Sequence, residues 1–179
     1  LLSKALKINI STVIYKGRNN YICRTRLQSL INNHTHLLNV QEYEALLTLI
    51  VWEWETLTGD INECTGFLMN KFNRLWSLVR SERGYCSTIR CGKYEGCYLG
   101  KLRNKVKDAD IIIVNHSLFA NELQRDTTHL PEDFIYVIDE AHHFATVIRD
   151  QLIKEFSIHS FNDVFQYFIQ DKKNWKIPV

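Results

Sequence analysis

Apolar and polar residues follow one another along this chain with two different periods, and the changes between them mark out its elements. Residues 12–15, TVIY, are a short β-branched and aromatic run stopped by Gly17, which predicts a strand. Asn39 followed three positions later by Glu42 has the pattern of a capping box, and Tyr43, Leu46, Leu47, Ile50, Trp54 and Leu57 then recur at helical spacing. The spacing predicts an amphipathic helix with that stripe in the core, Glu42, Glu44, Glu53 and Glu55 on its other face, and Gly59-Asp60 at its end. Leu68, Phe72, Leu75, Trp76 and Val79 predict a second helix running up to Gly84, and Leu99, Leu102 and Val106 a third that turns Lys101, Arg103, Lys105 and Lys107 to solvent. The runs at residues 110–114 and 134–138 read as strands buried on both faces, the kind found in parallel α/β sheets. Beyond them Phe144, Val147, Ile148, Leu152 and Phe156 form one more helical stripe, and Phe161, Val164, Phe165 and Phe168 begin another.

The run at 134–138 ends in Asp139, Glu140, Ala141 and His142, and this ending carries chemistry. Ligands of parallel sheets sit outside the carboxyl ends of the strands, where two adjacent carboxylates can meet a Mg-nucleotide. Asp139 would hold Mg²⁺ directly or through water, since the hard cation prefers carboxylate oxygen. Glu140 would orient or deprotonate the water that attacks the γ-phosphate of ATP. The plainer alternative is a surface acidic pair closing a core strand.

Composition sets the bounds. With 179 residues, 45% hydrophobic and 12% aromatic, the chain can build one substantial core, or a core and a small satellite domain. No apolar stretch approaches a bilayer span, and the opening LLSKALKINI lacks a signal peptide's features, so the expectation is an intracellular protein with no membrane partner. The absence of an initial Met leads to the further expectation that this is a piece of a longer polypeptide. Net charge is only +2, but residues 71–107 hold ten Lys or Arg against two acids, leaving an acidic remainder. Bases interleaved with Phe72, Trp76, Tyr85, Tyr94 and Tyr98 are the ingredients of a single-strand binding surface, with Arg90, Lys93, Lys101, Arg103, Lys105 and Lys107 as the phosphate contacts. Phe72 and Trp76 are assigned to the core.

Cys86, Cys91 and Cys97 lie close together in a Gly-, Ser- and Tyr-rich stretch, and Cys23 follows GRNNYI near the start. Thiols at these spacings can converge on one soft metal centre. Disulphides are disfavoured by the intracellular expectation. Structural zinc remains a competitor, although its knuckles usually place two cysteines two to four residues apart, and no such pair occurs here. Cys64 is expected to be a small buried side chain, and His116 a loop histidine bonded to backbone.

Taken together, GRNNYIC, the three later cysteines, the basic helix, DADIIIVNHSLF and DEAH resemble the DinG-type branch of the XPD-like iron-sulphur helicases of superfamily 2. The resemblance implies an α/β fold: part of a RecA-like parallel-sheet helicase motor domain with an inserted, mainly helical [4Fe-4S] domain. It implies motor-domain segments at 1–22 and 108–156, the insert at 23–107, and the start of a helical arch domain at 157–179. It makes Cys23, Cys86, Cys91 and Cys97 the cluster ligands, Asp139 and Glu140 the Walker B pair, and His142 the link between nucleotide and nucleic-acid sites. The implied partners are ATP, single-stranded DNA and DNA junctions, with 5′ to 3′ movement, in the cytoplasm or, if the source is bacterial, on the nucleoid. No stretch satisfies the P-loop pattern; GCYLGKL, residues 96–102, has one residue too few between its glycines and Leu after its lysine. The expectation is therefore a chain that neither hydrolyses ATP nor unwinds DNA by itself. A non-catalytic nucleic-acid-binding module held by zinc is the alternative.

Overall fold

The computed structural model describes residues 7–86, 96–125, 128–131 and 133–152. Strand β1 (Thr12–Tyr15) forms where the β-branched run was expected, and β2 (Ile111–Val114) lies parallel to it in the register Thr12↔Ile111 to Tyr15↔Val114. Ser11 starts the ladder by accepting from the amides of Asp110 and Ile111, while its own amide donates to Asp110 Oδ2 at 2.7 Å. Val13 and Tyr15 are buried, whereas Ile14 and Ile113 on the opposite face stay exposed. The run at 110–114 is therefore a strand, but not one buried on both faces, because no described element covers its Ile113 side.

Two parallel strands cannot be joined by a hairpin and need a crossover. Here the crossover is the whole of residues 16–110, and its described part is helical. It contains α1 (Arg24–Ser29), α2 (Val40–Glu55), α3 (Asn73–Val79) and α4 (Tyr98–Lys107). After β2 come α5 (His116–Leu123) and α6 (Ala141–Leu152). The chain divides after Tyr136 into two compact units: the first carries the sheet and α1 to α5, the second α6. Among the described residues no helix is long and apolar enough to cross a membrane.

The capping box of α2 is present in full, with the Glu42 amide donating to Asn39 Oδ1 at 2.9 Å and the Asn39 amide to Glu42 Oε2 at 3.0 Å. The face of α2 that enters the core differs from the expected one. Ala45, Leu46 and Leu49 are buried together with Glu42 and Glu53, while Leu47, Trp54 and Leu57 point outward, Trp54 with 84% of its surface exposed. Each buried acid is neutralised from another helix or segment: Arg74 grips Glu42 at 2.7 and 2.8 Å, and Arg24 pairs with Glu53. Burial works against the Glu42 carboxylate, but the Asn39 amide and the Arg74 guanidinium outweigh it and hold its pKa below the usual range.

Leu75, Trp76 and Val79 of α3 meet Ile22, Leu27, Leu30, Leu46, Leu49, Ile61 and Phe67 in the core. Trp76 stacks obliquely on Phe67 at 6.2 Å and donates its indole N–H to Asn19 O at 2.9 Å, so its assignment to the core holds. Leu68 lies outside α3 and is exposed, which shortens the second helix at its start. Cys64 is buried in this core, where desolvation raises its thiol pKa.

Residues 134–138 are not a strand. Ile135 is 93% and Val137 92% exposed, and no ladder hydrogen bonds are made there. A strand exists only beside a partner that satisfies its N–H and C=O groups, and the two-stranded sheet of the described residues offers this run none. The apolar pattern is genuine, but here it is unpaired.

Candidate functional site

Residues 21–23 are the hinge of the cysteine site. Tyr21 bridges Asp60 and Ile22 bridges Arg80, each in antiparallel fashion, and the Cys23 amide donates to Val79 O at 2.8 Å. Tyr21 is so enclosed that burial pushes its phenol pKa up to about 12. Cys23 then caps α1 with extended backbone, which begins the helix immediately behind its thiol. Arg26, one turn on, donates to the carbonyls of Ser77 and Arg80 and pairs with Glu82 at 2.7 Å. Those bonds fix the exit of α3, and four residues past Glu82 the Cys86 amide returns to the Glu82 carbonyl.

Cys97 is delivered from a third direction, again as a helix cap. Its Sγ accepts from the Gly100 amide at 3.4 Å at the start of α4. The preceding Gly96 has φ +114°, a left-handed conformation that favours glycine. The following Tyr98 is buried, and its hydroxyl donates to Glu53 Oε1 at 2.9 Å and accepts from Arg24 Nη2 at 2.7 Å. Gly59, with φ +69°, lies against the Tyr98 ring, so closely that an added methyl would overlap it.

Cys86 and Cys97 both lie within electrostatic range of the Cys23 thiol. Burial raises the pKa of Cys23, the Arg26 and Thr25 amides oppose that, and negative charge at Cys86 and at Cys97 raises it further. Among the described residues, the trio of His, Cys, Asp or Glu groups with ligand atoms within 4.8 Å of one another lies elsewhere, at Glu140, His142 and His143. The sulphurs of Cys23, Cys86 and Cys97 do not all lie within that distance of one another. Cys91 lies outside the described residues.

Of the basic residues singled out from the sequence, Lys101, Lys105 and Lys107 are exposed on α4. Lys101 and Lys105 line a cleft of about 520 Å³ together with Ile14, Lys16 and Asp60. Arg103 departs from the expected solvent-facing row: it is half-buried, reaches the Tyr15 phenol, and its Nε is enclosed. Arg90, Lys93 and Tyr94 fall outside the described residues. Tyr98 is core, and Tyr85 lies beneath the Arg26 guanidinium at 5.4 Å.

Asp139 and Glu140 form the turn that opens α6, in the second compact unit. Asp139 Oδ1 accepts from the Glu140 amide at 3.0 Å, and the Glu140 carbonyl accepts from the His143 amide at 2.9 Å. Both acids are exposed, as are His142 and His143. Carboxylates at a helix N-terminus are favoured by its partial positive charge. His116 is the first residue of α5, whose start is capped by Asn115 Oδ1 accepting from the Leu118 amide at 2.8 Å.

Sequence reasoning missed Arg24, Arg26, Glu53 and Gly59, the residues that hold the cysteine-bearing segments together. The one local signal for any of them was Gly59, read as a helix stop.

Comparison with known proteins gives a consistent result. Residues 85–161 match the DEAD_2 family. The chain is 34% identical over 152 residues to the ATP-dependent DNA helicase YoaA of Escherichia coli, covering 82% of this chain and 23% of that protein. It is 27% identical to the ATP-dependent helicase DinG of Mycobacterium tuberculosis, covering 80% of this chain and 23% of that protein. It is also 28% identical to the 3′-5′ exonuclease DinG of Bacillus subtilis, covering 81% of this chain and 15% of that protein. The chain thus spans less than a quarter of the length of these curated relatives.

Proposed function

The chain belongs to the DinG-type, DEAD_2-containing family of helicases, and from that premise we propose that it forms part of the first motor domain of a DNA helicase together with an inserted [4Fe-4S] domain. In the intact enzyme, RecA-like motor domains would use ATP to move 5′ to 3′ along single-stranded DNA, and the insert would help to part the duplex at junctions. The motor segments are assigned to 1–22 and 108–156, the insert to 23–107, and 157–179 to the start of an arch domain. The exonuclease named in the Bacillus relative is not proposed, since this chain covers only 15% of that protein.

The observation that supports this reading is that Cys23 and Cys97 each cap a helix of the crossover between two parallel strands, with Cys86 and Cys97 within electrostatic range of Cys23. The donor set suits a cluster: three thiols come from separate segments, two of them at helix starts, and at Cys23 the helix amides oppose the burial that raises its thiol pKa. Cys23, Cys86, Cys91 and Cys97 would hold it, and a bound cluster would supply a rigid link among those segments. The Gly100 amide already donates to Cys97 Sγ and Arg18 lies within electrostatic range of Cys86, so negative charge at the site is met by a peptide dipole and a cation's field. Lys101, Lys105 and Lys107 on the helix that Cys97 caps would take DNA phosphates, with a strong dependence on salt and little on sequence. Arg90, Lys93 and Arg103 complete the proposed contact set. Asp139 would hold the Mg²⁺ of Mg-ATP, Glu140 would orient the attacking water, and His142 would relay between the nucleotide and DNA sites.

Metal analysis tests the reading. Protein purified without oxygen is expected to contain about four irons and four acid-labile sulphides per chain, and Cys91→Ser is expected to lose them. Stoichiometric zinc without sulphide would replace the cluster with a zinc-stabilised binding module. Because the sequence lacks a P-loop, this chain by itself is expected to release no phosphate from Mg-ATP. Sustained release that disappears in Glu140→Gln would overturn that expectation.

A further inference from the structure

The DEAH turn carries one more group than Mg-nucleotide chemistry uses. His143 follows the motif, and its ring centroid lies 4.0 Å from that of His142. His142 Nδ1 is 3.3 Å from Glu140 Oε2, and ligand atoms of Glu140, His142 and His143 all lie within 4.8 Å of one another. We propose that these three side chains form a binding site for a borderline d-block dication such as Zn²⁺, separate from the Mg²⁺ proposed at Asp139.

The argument is one of donor chemistry and reach. Two imidazoles and one carboxylate are the set that suits zinc, nickel or iron(II), whereas Mg²⁺ demands near-octahedral oxygen and keeps its waters. Three protein ligands would leave coordination positions for water, and the exposure of Glu140 and His142, 65% and 68% of their side chains, gives an ion direct entry. Glu140 has φ +47°, an uncommon conformation for a non-glycine residue, at the turn that begins α6 and sets the two histidines beside it. An ion held there engages the Glu140 carboxylate. If Glu140 orients the hydrolytic water, as proposed above, zinc is an inhibitor, and that consequence alone rests on the helicase reading.

The experiment follows the imidazole ¹⁵N resonances of His142 and His143 in the whole chain as Zn²⁺ is added without nucleotide. The cysteines take the first equivalents, which leave these two signals unmoved; further zinc is expected to shift both together, while millimolar Mg²⁺ shifts neither. His143→Asn is expected to weaken the zinc response by about tenfold or more, since even outer-shell changes cost metal sites 10–100-fold. Far-UV circular dichroism of that exposed variant is expected to match the parent. Signals that stay put once the thiols are saturated would overturn the site. So would a His142 shift of equal affinity in the parent and in His143→Asn, which would mean binding to a single imidazole. Because no nucleotide is present, failure of the helicase reading would leave this result unchanged, and failure of the site would leave the metal analysis of the cysteines unchanged.

Discussion

Gly59→Ala is expected to destabilise the first compact unit by roughly 2–6 kcal/mol, the sum of two independent costs. Gly59 has φ +69°, which a residue with a Cβ adopts at a cost of about 1–3 kcal/mol. The added methyl would also overlap Cβ and ring carbons of Tyr98, close to the backbone and unable to swing away, for another ~1–3 kcal/mol of overpacking. Tyr98 cannot retreat cheaply, since its hydroxyl is held by Glu53 and Arg24. Its backbone neighbour is Cys97, so the displacement is expected to reach the proposed cluster site and, if iron is held there, to lower iron content as well as the urea midpoint. Gly59→Asn separates the two causes: Asn tolerates the left-handed conformation but still carries a Cβ. Equal losses in both variants would assign the effect to the Tyr98 contact, and a parent-like midpoint in both would refute the account.

Removal of the Glu122 side chain is the second large effect. This carboxylate is 1% exposed on α5 and spends both oxygens: Oε1 accepts from Arg125 at 2.7 Å and Tyr15 at 3.5 Å, Oε2 from the His129 amide at 2.8 Å and Thr128 at 3.2 Å. It ties α5 to β1 and to residues 128–129. Glu122→Ala leaves these donors unmatched, and breaking a buried pair in this way typically costs about 3–5 kcal/mol. Arg125 is one-third exposed and recovers part of its hydration, so roughly 2–4 kcal/mol is expected here. The double variant with Arg125→Ala is expected to cost less than the sum of the two single ones, because the two groups share one interaction. Strict additivity in urea unfolding would show that the pair is not coupled.

These two residues illustrate what was readable from the chain and what was not. Strand β1 and the Asn39-Glu42 box were legible because each is decided within a few residues. Helix α2 was legible as a helix, but its buried face was not. It carries apolar residues on several sides, from Val40 to Trp54, and its spacing alone cannot choose among them. The choice falls to Arg74 and Arg24, which neutralise Glu42 and Glu53 and so let an acid-containing face turn inward. Similarly, Arg103 sits in a row of bases by spacing, yet it is drawn inward to Tyr15. The run at 134–138 was read as a buried strand from composition, and it lacks the partner that would make it one.

The candidate chemistry divides along the same line. Which residues are thiols, carboxylates and imidazoles, and the order that gives the family resemblance, are properties of the sequence alone. So are the missing P-loop and the basic stretch from 71 to 107. That Cys23 lies within electrostatic range of Cys86 and Cys97 across 63 and 74 positions, that Gly59 touches Tyr98, and that Glu122 anchors β1 were decided only by the tertiary structure. The physical reason is the range of the forces involved. Capping and strand propensity act through neighbours a few residues apart, whereas burying a charge or gathering thiols depends on partners brought from remote segments.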